Sequence, residues 1–300
     1  RIADELELTL FNALAGAQHP SGSWWTYDTP MNGRRAASAH AIVFQARPGT
    51  PELNCCSVNG PRGLGMVAQW ALMRTPRGIA INFWGPLKAQ VPCADGAEFV
   101  LEQVTDYPRT GDIEIRILAA PQKDLELSLR VPAWAVNPRV AVGDRPFSSV
   151  AAGAYHAEQQ TWRAGNRIRL RFDMPVRWVT GTNAQTGRVS LYRGPILLAH
   201  DQESSALDES ELPALDLARV RDAKLVAASR KPEPRIGYFE PWLLVEVPTS
   251  NGKPVVLSDF ASAGCRGGLV RSWLRAEGTP LPLPAQFLQH SGRIVAESGR

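Results

Sequence analysis

The apolar residues of this chain change their period part-way along the sequence, and that change restricts the fold more than any other feature. In the first segment they recur every four residues, which predicts an amphipathic helix that ends near Gly16. The residues of that apolar stripe are Ile2, Leu6, Leu10 and Leu14. After Pro76 the period becomes two, which predicts half-buried antiparallel strands. The sequence therefore predicts a multidomain α + β protein, with helices first and sheets afterwards.

A second helix is predicted to begin near Asn59–Pro61 and to stop at Thr75-Pro76. Proline is tolerated in a first helical turn because the N–H that it lacks would have no partner there. Gly63 and Gly65 each cost about 1 kcal/mol relative to alanine in a helix. We therefore expect another part of the chain to pack closely against the backbone at both glycines.

The alternating runs predict the strands, and the turn-rich stretches between them predict the loops. The clearest runs are residues 113–117, 125–131 and 168–172, followed by 189–192, 196–199, 242–247 and 255–257. The acidic stretch 201–211 is interpreted as a surface loop, and the turn formers at 178–188 as the join between two β-sandwiches. Three domains are predicted, at residues 1–76, 77–178 and 179–300.

Composition is that of a folded protein, with 44% hydrophobic and 21% charged residues among 300. The net charge of +4 comes from arginines scattered among acids, whereas nucleic-acid binders concentrate basic residues in a patch or tail. No run approaches the ~18 apolar residues of a membrane helix, and no signal peptide is recognisable at the amino terminus. Because the chain opens on Arg1 inside a predicted helix, we expect a processed chain or a fragment.

Four cysteines occur, at positions 55, 56, 93 and 265, and their spacing is not that of a disulfide framework. Cys55 and Cys56 are adjacent, so a bridge between them would be strained. Both precede a predicted helix, whose positive end favours thiolate, so the pair is a candidate nucleophile or ligand of a soft metal such as zinc. The alternative is two small apolar residues in a tight turn.

Other candidate sites are less specific. The histidines lack the spacing of a metal motif, and the chain has no GxSxG elbow, Walker loop or dinucleotide fingerprint. Nine tryptophans suggest carbohydrate weakly, since tryptophan both fills cores and stacks on sugars. Tyr27, beside Trp24 and Trp25, could line a sugar site, and a core aromatic cluster is the equal alternative.

Several short motifs, in this order, resemble glycoside hydrolase family 127, which is typified by β-L-arabinofuranosidases. The helical part contributes LTLFN at 8–12, WTYDTP at 25–30, and CCSVN at 55–59 with Arg62. The later part contributes RVPAW at 130–134, WRAGN at 162–166 before Met174-Pro175, and YRGP at 192–195. The resemblance covers nearly the whole chain and is clearest over residues 1–200.

The resemblance implies the end of an (α/α)6 catalytic barrel near residue 76, followed by two antiparallel β-sandwich domains. It also implies retaining hydrolysis by a zinc-bound cysteine. By position, Cys55 resembles the nucleophile and Cys56 a zinc ligand, while Glu7 and Tyr27 resemble sugar-binding residues. The alternative for Glu7 is a solvated helix face. Asn59 and Arg62 are given a structural role only.

The family's acid/base Glu and its Glu-x-Cys zinc ligands have no counterpart in this chain. Zn²⁺ is therefore expected for the intact protein, and this chain alone is expected to lack hydrolytic activity.

The expected partner is an oligosaccharide or glycan substrate, without nucleic acid or membrane, and a homodimer is left open. The main alternative function is a non-catalytic carbohydrate-binding or structural β-sandwich protein, in which exposed tryptophans do the binding. A vicinal-thiol redox or metal sensor is a third hypothesis, supported only by the cysteine pair.

Overall fold

The structure is a computed structural model, and it describes residues 1–18, 25–26, 29–34, 55–93, 96–205, 207, 209–226 and 241–278. The chain divides into two compact units. In its described part the first unit consists of Arg1–Glu7 and Gly65–Met174, and the second consists of residues within Leu8–Leu64 and Pro175–Leu283. The predicted boundaries at residues 76 and 178 stay predictions.

The first segment is helical, as predicted, but its buried side is not the apolar stripe. An α-helix over Ile2–Leu8 continues as a π-helix over Thr9–Leu14 and a last α-helical turn over Ala15–Ala17. Ile2 is 78% exposed, whereas Asp4 and Glu7 are buried at 4% and 0%. A stripe of leucines predicts a buried face only when no stronger contact competes, and here an ion-pair network holds the polar side inside.

The second helix begins earlier and ends earlier than predicted. It runs over Cys56–Gly65 and is followed by a short helix over Val67–Trp70. The prediction that Thr75-Pro76 stops the helix is wrong, because Leu72–Arg74 already forms a strand that pairs with Gly78–Ile81. Pairing with a neighbouring strand outweighs the helix propensity of these three residues.

Two sheets make up most of the first unit, and together they are sandwich-like. One has four strands, in the order Tyr155–Thr161, Asp124–Arg130, Gly78–Ile81 and Leu72–Arg74. The other has six, in the order Leu87–Pro92, Glu98–Thr105, Asp112–Ala119, Arg167–Asp173, Val136–Val142 and Ser148–Ser149. The strands predicted at 113–117, 125–131 and 168–172 are confirmed. Their alternating apolar residues are buried at 6% exposure or less, and include Ile113, Ile115, Ile117, Leu125, Leu127, Leu129, Ile168, Leu170 and Phe172.

The expectation of purely antiparallel sheets is wrong at two places. Gly78–Ile81 runs parallel to Asp124–Arg130, and Leu215–Asp216 runs parallel to Leu274–Glu277. Parallel neighbours need a long crossover, which the intervening strands of the six-stranded sheet supply in the first case. A Cβ on Gly78 would lie 2.0 Å from the carbonyl oxygen of Glu126, so this close approach requires glycine.

A ten-stranded sheet organises the second unit. Its main order is Leu215–Asp216, Leu274–Glu277, Arg188–Arg193, Ile196–Asp201, Val255–Asp259, Leu244–Val247 and Lys224–Val226. Three further strands belong to the same sheet but lie outside this order: Val176–Thr180, Asn32–Gly33 and Val270–Arg271. Short 3-10 helices occupy Asn183–Gln185, Glu209–Glu211 and Leu217–Asp222. The four later predicted strands are confirmed, although the third begins at Leu244 rather than at residue 242.

The stretch 178–188 is interpreted from the sequence as a join between two sandwiches. Its residues 181–187 connect two neighbouring strands of this sheet. Val176–Thr180 pairs antiparallel with Arg188–Arg193 on either side of them. The acidic loop is also shorter than predicted, because Asp201 is a buried strand residue whose carboxylate accepts from the N–H of Glu203 at 3.1 Å. The implied (α/α)6 barrel end and the two-sandwich arrangement stay predictions. Within the described residues, no helix has the length and apolar character needed to span a membrane.

Candidate functional site

Cys55 and Cys56 lie at the amino-terminal end of the helix Cys56–Gly65, in the second unit. The carbonyl of Cys55 accepts from the backbone N–H of Val58 at 3.2 Å and of Asn59 at 3.0 Å. The side-chain amide of Asn59 donates to the same carbonyl at 3.0 Å, a structural role as the sequence predicted. Cys55 is exposed and Cys56 is half-buried, so a small molecule can reach the first thiol.

The two sulfurs are spaced as two ligands of one zinc ion would be. The Sγ atoms of Cys55 and Cys56 lie 3.9 Å apart and are not joined by a disulfide. Two thiolates on a tetrahedral zinc, each at about 2.3 Å, are separated by about 3.8 Å. The pair therefore fits two of the four positions of a zinc site. Within the residues described, no group of three or more His, Cys, Asp or Glu side chains is placed to hold a metal.

Close packing fixes the helix that carries the thiols. A Cβ on Gly60 would lie 2.2 Å from the ring of Trp25, which is buried at 4% exposure. A Cβ on Gly63 would lie 2.9 Å from the side chain of Leu14, so the close packing expected at Gly63 is confirmed. The same expectation is wrong for Gly65, because no described residue has an atom within 4 Å of a Cβ placed there. Trp25 thus packs in the core beside this helix.

Gly60→Ala is expected to lower the free energy of unfolding by about 1–3 kcal/mol, because the new methyl group overlaps the Trp25 ring. Gly65→Ala is the matched control, since it adds the same methyl group to the same helix without a clash. Alanine is the better helix former, so the control is expected to be neutral or stabilising by up to about 1 kcal/mol. Urea unfolding of both variants measures the difference, and equal effects would rule out the tight contact.

Glu7 lies in the first unit, inside a buried hydrogen-bond network. Its carboxylate accepts from the hydroxyl of Tyr107 at 2.6 Å and from the indole N–H of Trp134 at 3.1 Å, and it pairs with the guanidinium of Arg130. Arg130 also pairs with Asp4 at 2.5 Å. The alternative of a solvated helix face for Glu7 is wrong, because its exposure is 0%. Its assignment as a sugar-binding residue stays a prediction.

Burial and the neighbouring charges shift the pKa values of Tyr107 and Arg130 in this network. Desolvation raises the pKa of Tyr107 well above its ordinary value, and the neighbouring Glu7 carboxylate raises it further. Burial is the largest influence on Arg130 and alone would lower its pKa, but the interactions with Glu7, Tyr107 and Asp4 together outweigh it, so the pKa rises. The phenol therefore stays protonated as a donor, and the guanidinium stays charged as the partner of both acids.

The sequence interpretation missed this network because it placed Arg130 on the solvated side of a strand. In the structure Arg130 is 2% exposed, and its Nε donates to the carbonyl of Asn82 at 2.6 Å. The available signal was the motif at residues 130–134, which holds Arg130 and Trp134 together, with Asp4 and Glu7 one helical turn apart. Tyr27, the other predicted sugar-site residue, lies outside the described residues, as does Trp24.

The middle of the chain matches a known protein family. Residues 78–174 match the family model described as β-L-arabinofuranosidase, GH127 middle domain. Residues 78–174 are therefore similar to a GH127 middle domain. The resemblance to glycoside hydrolase family 127 seen in the sequence motifs is thereby confirmed, and the matched residues contain both sheets of the first unit apart from Leu72–Arg74.

Solved structures show the same fold over most of the chain. A glycoside hydrolase is similar at 22% identity with a TM-score of 0.74, covering 92% of this chain and 48% of that one. A GH127 β-arabinofuranosidase is similar at 21% identity with a TM-score of 0.72, covering 93% and 47%. A GH127 β-L-arabinofuranosidase from Geobacillus stearothermophilus T6 is similar at 19% identity with a TM-score of 0.67, covering 92% and 46%.

The GH127-like chain thus spans about half the length of the solved structures that it matches. A search among curated proteins found no match.

Proposed function

We propose that this chain is part of a retaining glycoside hydrolase that acts on β-L-arabinofuranosides or related glycans. The match of residues 78–174 to the GH127 middle domain supports a glycoside hydrolase. The observation that carries the chemistry is the exposed Cys55 thiol, 3.9 Å from the Cys56 sulfur at the start of a helix. A nucleophile must reach the anomeric carbon, and of the two cysteines Cys55 is the more exposed.

In the proposed reaction the sulfur of Cys55 attacks the anomeric carbon while the bond to the leaving oxygen breaks. That oxygen takes a proton from a general acid, which no residue of this chain matches. Water then attacks the same carbon from the side that the leaving group vacated and gives a proton to the same, now deprotonated, acid, while the thiolate departs with its electron pair. Two inversions leave the anomeric configuration unchanged, which is the outcome called retention.

Cys55 and Cys56 would supply two thiolate ligands to a zinc ion in the proposed site. Bound zinc would keep the thiols deprotonated at neutral pH, at some cost in nucleophilicity. The contribution of this chain is to hold the two thiols in position. The backbone hydrogen bonds to the carbonyl of Cys55 and the Gly60–Trp25 contact hold the helix start in one position.

Cobalt(II) titration tests the metal proposal without any substrate. The protein is expected to develop a sulfur-to-metal charge-transfer band, and Cys55→Ser with Cys56→Ser is expected to remove it and to weaken zinc binding by more than about tenfold. Cys93→Ser with Cys265→Ser is the matched control, because it also removes two thiols. A band that survives the first double change, or that disappears in the second, would contradict the assignment of Cys55 and Cys56.

A non-catalytic carbohydrate-binding protein is the second candidate, and the structure weakens its original basis. That hypothesis depends on exposed tryptophans. Trp25, Trp84, Trp134, Trp162 and Trp178 are buried at 8% exposure or less, whereas Trp242 is 36% exposed. Trp25→Ala should therefore reduce stability rather than act on glycan binding directly. A loss of glycan affinity in a Trp25→Ala protein of unchanged stability would favour the binding module instead.

A further inference from the structure

A polar pocket lies at the edge of the six-stranded sheet in the first unit, and neither zinc nor thiol chemistry uses it. Its cavity is about 480 Å³ and is lined by Asn137, Pro138, Arg139, Ser149, Val150 and Asp173. That volume falls within the range of small-ligand sites, which begins at about 300 Å³. All six residues lie on or beside the strands Val136–Val142, Ser148–Ser149 and Arg167–Asp173.

The pocket holds an acceptor and donors side by side. The carboxylate of Asp173 accepts from the side-chain amide of Asn137 at 2.9 Å and from Nη2 of Arg139 at 3.2 Å. Among the described residues, the buried Nε of Arg139 has no hydrogen-bond partner. The side chains of Arg139 and Asp173 are 42% and 45% exposed, so a ligand can reach the carboxylate and the Nη end of the guanidinium. A carboxylate beside a guanidinium can bind a ligand that both donates and accepts, as a sugar hydroxyl does.

The backbone has two irregularities at this pocket. Asn137 has a φ of 45°, which is uncommon for a residue other than glycine. The pairing of Arg167–Asp173 with Val136–Val142 shifts register between Arg171 and Asp173, and a bulge of this kind redirects side chains. Both irregularities fall on the residues that place Asn137 and Asp173 against each other.

Arginines lie close together on the surface next to the pocket. Arg169 lies directly across from Glu114, and its Nη2 donates to the carbonyl of Gly143 at 3.2 Å. Arg171 lies directly across from Arg139 in the sheet, an arrangement of like charges that destabilises a pair of strands. The guanidinium carbons of Arg169 and Arg171 lie 5.2 Å and 4.6 Å from the ring centre of Phe147. Asp112 pairs with Arg171 at 3.0 Å, but both side chains are more than half exposed, so water screens this pair.

We propose that this pocket and its arginines form an accessory binding site for an acidic sugar chain, one whose residues carry a carboxylate as uronic acids do. Asp173 and Arg139 bind hydroxyl groups in the pocket, and Arg171 and Arg169 bind the carboxylate of the same or the next sugar. Arginine suits this role because its planar guanidinium can bind a carboxylate through two parallel hydrogen bonds. The sugar class rests on the proposed glycosidase function, whereas the preference for negative charge rests on the arginines.

A nucleic acid is the less suitable occupant because Asp173 lines the pocket. A phosphate backbone offers mainly acceptors, so the carboxylate would repel it. A sugar hydroxyl can donate to the same carboxylate. The two kinds of ligand should therefore respond in opposite directions when Asp173 is neutralised.

Calorimetric titration with oligogalacturonate tests the proposal, with a neutral galactose oligomer and a single-stranded DNA of similar length as comparison ligands. Oligogalacturonate is expected to bind more tightly than either, and less tightly as salt is added. Arg139→Gln with Arg171→Gln is expected to weaken its binding about tenfold or more. Arg163→Gln with Arg221→Gln removes the same charge from exposed positions elsewhere and should change the affinity by less than about twofold. Circular dichroism confirms that each variant is folded.

Asp173→Asn separates the two polyanions. It is expected to weaken oligogalacturonate binding and to strengthen DNA binding, because it removes a hydroxyl acceptor and a negative charge together. Equal losses in the two double variants, or DNA binding as tight as that of oligogalacturonate, would overturn the proposal. Binding of the neutral oligomer with the same affinity would overturn it as well. None of these binding measurements requires turnover. A result that contradicts the accessory site is therefore distinguishable from one that contradicts the proposed Cys55 chemistry.

Discussion

Cys55→Ser is expected to lower the turnover of an aryl β-L-arabinofuranoside by at least about 10³-fold in the intact protein, if it has the proposed hydrolase activity. The serine hydroxyl stays protonated at neutral pH, so it cannot replace a thiolate as nucleophile at the anomeric carbon. Because Cys55 is exposed at a helix start, the change removes no buried side chain, and the thermal stability should be nearly unchanged. Initial rates and an unfolding curve on the same preparation measure both effects.

Cys93→Ser is the matched control for that experiment, because Cys93 is a free thiol outside the proposed site, and its turnover should equal that of the unchanged protein. Cys56→Ser should also lower turnover, with partial recovery at high zinc concentration, since Cys56 is proposed only as a metal ligand. Turnover that persists in Cys55→Ser would contradict the nucleophile assignment. The 300-residue chain alone is expected to be inactive for lack of a general acid, and Cys55-dependent turnover by it would show that expectation to be wrong.

Arg130→Met is expected to lower the free energy of unfolding by about 3–5 kcal/mol, the largest loss of stability that we predict for a single change. It leaves the carboxylates of Asp4 and Glu7 buried at 4% and 0% exposure without their cation. The carbonyl of Asn82 also loses the donor that lies 2.6 Å away. Methionine retains much of the side-chain volume, so the loss reports charge rather than a cavity. Urea unfolding followed by tryptophan fluorescence measures it.

Arg116→Met is the control for that prediction, because Arg116 bonds Glu114 at 2.6 Å but is 43% exposed. Water replaces most of that ion pair, so its stability should hardly change. The triple variant Arg130→Met, Asp4→Asn, Glu7→Gln should recover part of the loss, since no unpaired charge remains buried. Equal effects of Arg130→Met and Arg116→Met, or no recovery in the triple variant, would show that burial of the acids is not the cause.

The strands could be predicted from the sequence because a period of two has one physical interpretation when one face is apolar. Ile113, Ile115 and Ile117 are all buried at 2% exposure or less, as the alternation requires. The same argument failed for Arg130. Its strand lies between two neighbours and under the first helix residues, so its polar side is covered as well. A sequence pattern reports which residues avoid water, and it does not report which charged residues find partners.

The helix ends were harder to predict for the same reason. Residues 72–74 continue a helical pattern locally, but a strand several residues later provides hydrogen bonds that the local sequence does not reveal. The candidate thiols were predictable because adjacent cysteines are rare and chemically specific. Their separation of 3.9 Å and the Gly60–Trp25 contact that fixes their helix required coordinates. The pocket around Asp173 was not predictable, because it depends on a register shift.

The parallel pairing of Gly78–Ile81 with Asp124–Arg130 sets an order for synthesis and folding. Three strands of the six-stranded sheet lie between these partners in sequence, so the ribosome must complete them first. Until then Gly78–Ile81 is hydrogen-bonded on one edge only, by Leu72–Arg74, and its other edge offers unpaired amides beside two isoleucines. An edge of this kind can recruit strands from other nascent chains. Recombinant yield should therefore depend on how quickly translation passes from residue 81 to residue 130, and slowing it there should favour aggregation.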